Sequence, residues 1–174
     1  MDAELYIKDF VYGANDGIIT TFAIVAGVAG AELSSSIILI IGVASLFADG
    51  FSMASSNYLG STSEQDAVSH NGAFKRFISR SYKIKPARSA LYTFIAFIAA
   101  GVIPLLPYFF ISGNEKNRFS YTIVSTLFAL FLVGSLRSFV TKRSFVISGF
   151  EMIVVGGAAA GMAYLIGQLI SGMV

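Results

Sequence analysis

Two aspartates stand out in a chain that is otherwise very apolar. Asp16 and Asp49 lie within or at the edge of hydrophobic runs in the segment from Asp9 to Ser61. A carboxylate in hydrocarbon costs a few kcal/mol or more, so such acids usually face a bundle interior, a partner charge or an ion path. We therefore interpret Asp16 and Asp49 as functional residues and the rest of the chain as their scaffold.

Further donor atoms follow Asp49 at helical spacing. Residues four apart lie nearly above one another on a helix, so Asp49, Met53 and Asn57 form one stripe. Carboxylate and carbonyl oxygens suit hard divalent ions, whereas a thioether biases a site towards transition metals. The combination fits ferrous iron or manganese. The alternative interpretation of Met53 is that it only fills space between helices.

The sequence leaves two roles open for the pair of Glu151 and Arg137, and two for Glu32. Glu151 and Arg137 both fall at membrane depth, where they either pair structurally or leave Glu151 to relay protons. Glu32 falls in a short turn after the first hydrophobic run, as an exit-side carboxylate or simply as a turn residue.

The sequence holds no nucleophile elbow, phosphate loop or zinc-protease helix, so we predict that the protein is not an enzyme.

The composition places these residues in a membrane protein. Of the 174 residues, 55% are hydrophobic and 13% are charged, whereas a soluble domain carries about 25% charged residues. The mean hydropathy is +0.74. There is no cysteine and one histidine, which excludes thiolate and multi-histidine metal sites in one chain. We expect no permanently bound cofactor and no nucleic-acid partner, and a lipid bilayer as the surroundings.

The hydrophobic runs predict an all-α fold with a single transmembrane domain over residues 1–174. A spanning helix needs about 20 apolar residues. Five segments meet this requirement, at about 10–30, 34–58, 87–111, 119–140 and 145–171, with a basic loop over 60–86. Pro104 and Pro107 should kink the third helix, because each removes an internal hydrogen bond.

The basic residues predict the orientation of the chain. With a cytoplasmic N-terminus, ten of the twelve Lys and Arg residues fall on the inside. Only Lys116 and Arg118 fall on the outside, which is the positive-inside pattern. We therefore predict that the N-terminus is cytoplasmic and that the C-terminus lies on the opposite side. The basic loop is interpreted as setting this topology and touching anionic headgroups.

Small residues recur at a spacing of four in the first and last helices. This spacing lets helix backbones approach closely in lipid. The glycines concerned are Gly13, Gly17, Gly27, Gly157 and Gly161. We interpret Gly157 and Gly161 as packing residues and the first helix as the candidate for self-association. Five helices cannot divide into two equal halves of the kind many transporters use, so a complete path is expected to need two copies, as a homodimeric bundle.

Four short motifs resemble the vacuolar iron transporter family, also called the Ccc1-type family. They are NDGIITTFA from Asn15, VAGVAGA from Val25, ADGFSM from Ala48 and NYL from Asn57. The resemblance is specific in the first two helices and extends over the other three in helix count and glycine content.

The resemblance implies a five-helix homodimer that moves ferrous iron, and often manganese, out of the cytosol in exchange for protons. It also implies that the first helices of two protomers line the path at the dimer interface. Carried over by position, the family's first-helix aspartate matches Asp16 and its second-helix methionine matches Met53. The transported ion would be Fe²⁺ or Mn²⁺.

The chain departs from this family in two respects. Many members carry an acid where this chain has Asn57, so that ligand is either lost or replaced by Asp49. Better-characterised members also insert a glutamate-rich cytoplasmic domain between the second and third helices, so this chain resembles a short branch without it. Compact loops favour a prokaryotic inner membrane, with a vacuolar or other endomembrane as the alternative. The competing hypotheses are a non-transporting membrane scaffold or a transporter of another small cation.

Overall fold

The computed structural model describes residues 3–70, 84–111, 114–141 and 143–173. Regular structure in these ranges is entirely helical. In chain order the elements are α1 (Ala3–Gly30), α2 (Ser35–His70), α3 (Pro86–Gly101), a 3₁₀ turn (Ile103–Leu105), α4 (Leu106–Phe110), α5 (Glu115–Thr141) and α6 (Phe145–Ser171).

Five segments are long and apolar enough to cross a membrane. They are Tyr6–Gly30, Ser35–Ala67, Pro86–Phe110, Lys116–Ser138 and Phe145–Ser171. The predicted all-α protein with five spans is therefore confirmed. The orientation of the termini and the dimer stay predictions.

The second helix is longer than the hydrophobic pattern predicted. α2 continues to His70, although the apolar run was expected to end near residue 58. No proline interrupts residues 59–70, so the helix propagates beyond its hydrophobic part at little cost. The segment predicted as the loop 60–86 therefore begins as helix, and its residues 71–83 lie outside the described ranges.

The third span bends where the two prolines stand. α3 ends at Gly101, a 3₁₀ turn follows, and helix resumes as α4. Proline has no backbone N–H and clashes with the preceding turn, which accounts for the break. The Thr122 hydroxyl donates a hydrogen bond to the Pro104 carbonyl oxygen at 3.2 Å. The predicted kink is thus present, and α5 supports it.

The first helix lies at the centre of the bundle and contacts α2, α3, α5 and α6. Gly13 and Gly17 let it approach α3 closely. A Cβ atom at these two positions would overlap the backbone oxygens of Thr93 and Phe97. These two glycines therefore pack against α3 of the same chain, and self-association through the first helix stays a prediction.

The outer end of α1 is joined to α6 in the same way. A Cβ atom at Gly167 would overlap the Gly27 backbone oxygen, and one at Gly30 would overlap the Tyr164 backbone oxygen. The Ser171 hydroxyl also donates to the Ala31 carbonyl oxygen at 3.1 Å. The two helices run side by side and meet through their backbones.

Gly157 and Gly161 differ from what their spacing suggested. A Cβ atom at either position would meet nothing within 4 Å among the described residues. Among the described residues, α6 packs against α1 and α5 through Gly149, Met152, Gly156, Ala160 and Gly167 instead.

Candidate metal-binding site

Asp16 and Asp49 lie at the same depth on neighbouring antiparallel helices. Asp16 precedes the end of α1 at Gly30 by fourteen residues, and Asp49 follows the start of α2 at Ser35 by fourteen. At 1.5 Å per residue, each is about 21 Å from the outer end of its helix. The two carboxylates act on each other electrostatically, and the Thr20 side chain hydrogen-bonds to Asp16.

The two acids differ in exposure. Asp49 is half-buried between helices, whereas Asp16 is exposed on the surface of the single chain. An exposed carboxylate in the middle of a spanning helix is costly in lipid, so it normally faces other protein or a water-filled cavity. The face of α1 that carries Asp16 is therefore expected to meet other protein or water rather than lipid.

A third carboxylate, Asp9, lies nearer the N-terminal end of the same helix. Its Oδ1 atom accepts a hydrogen bond from the Asn57 amide at 3.3 Å, and its Oδ2 accepts one from the Ser89 hydroxyl at 2.5 Å. The Asn57 amide also donates to the Thr93 hydroxyl at 2.6 Å. This network, which we call the Asp9 cluster, joins α1, α2 and α3.

Sequence reasoning missed Asp9 because it falls before the apolar run. One signal was available: Asp9 precedes Asp16 by seven residues, and a seven-residue step returns to nearly the same face of a helix. Its partners could not be foreseen, since Ser89 and Thr93 belong to a different helix.

Asn57 was predicted as a metal ligand, and the structure gives both ends of its amide a protein partner. Its nitrogen donates to Asp9 and Thr93, and its oxygen accepts a hydrogen bond from the Ser61 hydroxyl at 3.4 Å. The Asn57 oxygen has a second lone pair that this bond leaves available to a metal. Met53 lies one turn away from it along α2 and is half-buried.

These contacts form a ladder between α1 and α2. Asp16 stands opposite Asp49, and Asp9 stands opposite Asn57. The two levels are seven or eight residues apart along the helices, which is about 10 to 12 Å. Polar side chains thus follow one side of this helix pair from the end that holds the N-terminus of α1 to its middle.

A single chain offers few strong metal ligands at either level. Among the described residues, no group of three or more His, Cys, Asp or Glu side chains lies close enough together to hold a metal ion. A transition metal bound at Asp16 and Asp49 therefore needs further donors, from Met53, water or another chain.

Glu151 lies apart from this ladder, on α6. Its carboxylate is 3.8 Å from the Arg137 guanidinium and 3.4 Å from that of Arg143. The pairing with Arg137 that the sequence allowed is present, and a second arginine shares the carboxylate. The Glu151 side chain is 40% exposed, so this contact is a surface ion pair.

Glu32 ends α1 in a strained conformation. Its φ angle is 56°, and it is the one described non-glycine residue with a positive φ. Its N–H bonds to the Ala29 carbonyl oxygen at 3.1 Å, and the Leu33 N–H bonds to the Val28 oxygen at 3.2 Å. This is the Schellman ending of a helix, in which glycine usually occupies the left-handed position. A turn role thus explains the backbone of Glu32 but not the choice of glutamate.

The fold and the ladder define a class of protein: an integral membrane bundle with carboxylates at mid-depth. The sequence profile of the VIT family matches residues 7–77 and 67–168. The chain therefore belongs to the VIT family.

Proteins named as vacuolar iron transporters align over nearly the whole chain. A vacuolar iron transporter of Plasmodium berghei is 25% identical over 95% of this chain and 82% of its own length. The vacuolar iron transporter of Centaurea cyanus is 28% identical over 91% of this chain and 85% of its own length. Vacuolar iron transporter 1 of Arabidopsis thaliana is 27% identical over 94% of this chain and 86% of its own length.

These alignments also bear on the missing cytoplasmic domain. The one with Centaurea cyanus runs over 209 positions, although this chain has 174 residues, so at least 35 positions have no counterpart here. The two family matches overlap at residues 67–77, which include the last turn of α2 and the segment after it. This chain is a short form of the family.

Proposed function

We propose that the protein is a homodimeric transporter that moves a divalent transition metal, ferrous iron and also manganese, out of the cytosol in exchange for protons. The observation that carries the proposal is the exposed Asp16 carboxylate at mid-depth, beside Asp49. The iron transporters among its relatives support iron as the cargo.

A second copy would answer two needs together. It would cover the face of α1 that exposes Asp16, and it would bring a second Asp16 and Asp49 to a site that one chain leaves short of ligands. Two aspartates and the thioether of Met53 from each chain form a mixed oxygen and sulfur site, which suits Fe²⁺ or Mn²⁺ better than Mg²⁺ or Ca²⁺.

Proton exchange follows from the chemistry of the carboxylates. A carboxylate must be deprotonated to bind a metal, so a metal ion that displaces protons from these acids couples its own binding to proton release. An acidic compartment on the far side would return protons to the same acids and release the metal there.

The Asp9 cluster would be the cytoplasmic approach to this site. Its carboxylate is the first acid on the ladder from the cytoplasmic end, and it is held by hydrogen bonds to α2 and α3. We assign it the role of positioning α1 against these helices. The names of the relatives support a vacuolar membrane, and a prokaryotic inner membrane remains the alternative.

The test is metal uptake into proteoliposomes with an acidic interior, for the unaltered protein and Asp16→Asn. Uptake of Fe²⁺, held reduced, and of Mn²⁺ should require both the pH gradient and Asp16. Ser52→Asn is a matched control, because Ser52 is exposed on α2 within the same span, and it should transport normally.

Thermal unfolding in detergent separates the transporter from a scaffold. A ligand that binds the native state raises its stability by about 2.7 kcal/mol at a hundredfold excess over Kd. Mn²⁺ should raise the Tm of the unaltered protein and not that of Asp16→Asn. A folded dimer with no uptake and no metal-dependent shift would contradict the proposal and favour the scaffold.

A further inference from the structure

A cavity of about 360 Å³ opens between α1, α5 and α6, away from the aspartate ladder. Its lining residues are Lys8, Val11, Tyr12, Asn15, Val133, Gly134, Arg137 and Met152. Asn15 and Asp16 are consecutive, so their side chains leave α1 about 100° apart. The cavity therefore borders the face that carries Asp16, and neither Asp16 nor Asp49 lines it.

The mouth of this cavity carries positive charge. Lys8 and Arg137 lie at the ends of the first and fourth spans, on the side predicted to be cytoplasmic. The acid next to them is Glu151, which already serves both Arg137 and Arg143. This carboxylate is shared between two guanidiniums, and the Asp9 carboxylate next to Lys8 is hydrogen-bonded to Asn57 and Ser89 instead. The Lys8 ammonium also lies 5.6 Å from the centre of the Tyr12 ring.

The deeper part of the cavity is apolar apart from one amide. Val11, Val133 and Met152 line it, and the Oδ1 atom of Asn15 is buried without a hydrogen-bond partner in the described part of the chain. Asn15 follows Lys8 by seven residues, so it lies about 10 Å deeper in the membrane. An occupant would thus meet cations at the membrane surface, apolar side chains below them and a polar atom among these.

We propose that this cavity binds an anionic phospholipid, with the phosphate between Lys8 and Arg137. The glycerol region lies below the phosphate, along Val11 and Val133, and the first acyl chain segments lie deeper, beside Met152. Basic pockets between spanning helices on the cytoplasmic side are known to take anionic headgroups. A soluble phosphate ion would use the two cations and leave the apolar part empty.

Native mass spectrometry of the purified full chain tests this proposal with phosphatidylglycerol against phosphatidylcholine. The unaltered protein should retain phosphatidylglycerol preferentially. Lys8→Gln should lower that affinity about fivefold, the loss expected for one basic residue near the membrane surface. Lys116→Gln is the matched control: Lys116 is an exposed lysine at the predicted outer side, and its substitution should change nothing.

A second variant keeps every charge and fills the space. Val11→Phe should abolish the preference, whereas Val124→Phe, on an exposed position of α5, should preserve it. This pair still decides the matter if Lys8→Gln fails to fold. Equal retention of both lipids, or a preference unchanged in Val11→Phe, would overturn the proposal. Displacement of the lipid by inorganic phosphate at similar concentration would assign the cations to a soluble anion instead.

Discussion

The Asn57 amide donates hydrogen bonds to both the Asp9 carboxylate and the Thr93 hydroxyl, at 3.3 and 2.6 Å. This chain therefore uses a donor on α2 to satisfy an acid on the facing helix. Asn57 and Asp9 form a hydrogen-bonded pair, so the effect of a substitution at one depends on the residue at the other.

Asn57→Asp should destabilise the protein. It removes both donated bonds and places a second carboxylate beside Asp9, at an expected cost of about 1 to 3 kcal/mol. Adding Asp9→Asn should restore part of this loss, because the amide then stands on α1 and donates in the reverse direction. Thermal unfolding of the four proteins in a double-mutant cycle measures the coupling. Additive losses would mean that the two side chains do not interact.

Gly17→Ala should destabilise the bundle, whereas Gly157→Ala should not. A methyl group at Gly17 would overlap the backbone of α3, while one at Gly157 would meet open space. Overpacking of this kind costs about 1 to 3 kcal/mol. Tm values of the two variants in the same detergent make the comparison. Equal Tm values would contradict the close approach of α1 and α3.

Glu32→Gly should leave the stability unchanged or raise it. A left-handed residue other than glycine costs about 1 to 2 kcal/mol, partly offset by the entropy that glycine loses on folding. Glu32→Val should lower the Tm, because a β-branched residue is least tolerant of a positive φ. Leu33→Gly is the control: Leu33 has no positive φ, so its replacement by glycine removes no backbone strain.

A transport assay on variants of Glu32 decides whether this residue is only a turn residue or an exit-side carboxylate. If Glu32 is only a turn residue, Glu32→Gln and Glu32→Gly should both take up metal at the unaltered rate. Slower uptake in both, with normal Tm values, would identify an exit-side carboxylate.

Glu151→Gln should change stability by less than about 1 kcal/mol, since exposed ion pairs contribute little. Its Tm in detergent checks this. Proton-driven metal uptake should also persist, because the Glu151 carboxylate is engaged with two arginines away from the ladder. Uptake that no longer responds to the pH gradient would instead make Glu151 a proton relay.

The spans and the depth of the acids could be predicted from the sequence, because both follow from distances along one helix. Hydropathy gave five spans, proline chemistry gave the break after Gly101, and spacing gave the stripe with Asp49 and Met53. The mid-depth position of Asp16 followed for the same reason.

What the sequence could not provide was the partner of each residue. A four-residue spacing places two glycines on one face of a helix, where another helix can approach closely. Gly13 and Gly17 have this spacing, and so do Gly157 and Gly161. Only the packing of the helices decides that the first pair meets α3 and the second meets nothing in this chain. The hydrogen bonds of Asn57 depend on the same long-range arrangement, as does the distance from Glu151 to Arg143.

The glycine contacts of α1 also determine which parts of the bundle can move. α1 meets α3 near Gly17 and α6 near Gly30 backbone to backbone, with no side chain between them that could change rotamer. By contrast, Gly42 and Gly50 of α2 face the side chains of Leu105 and Phe97, which can adapt. We therefore expect the first, third and last spans to form the more rigid part of the bundle, and the second span, which the Asp9 cluster holds at one end, to adapt more easily at the level of Asp49.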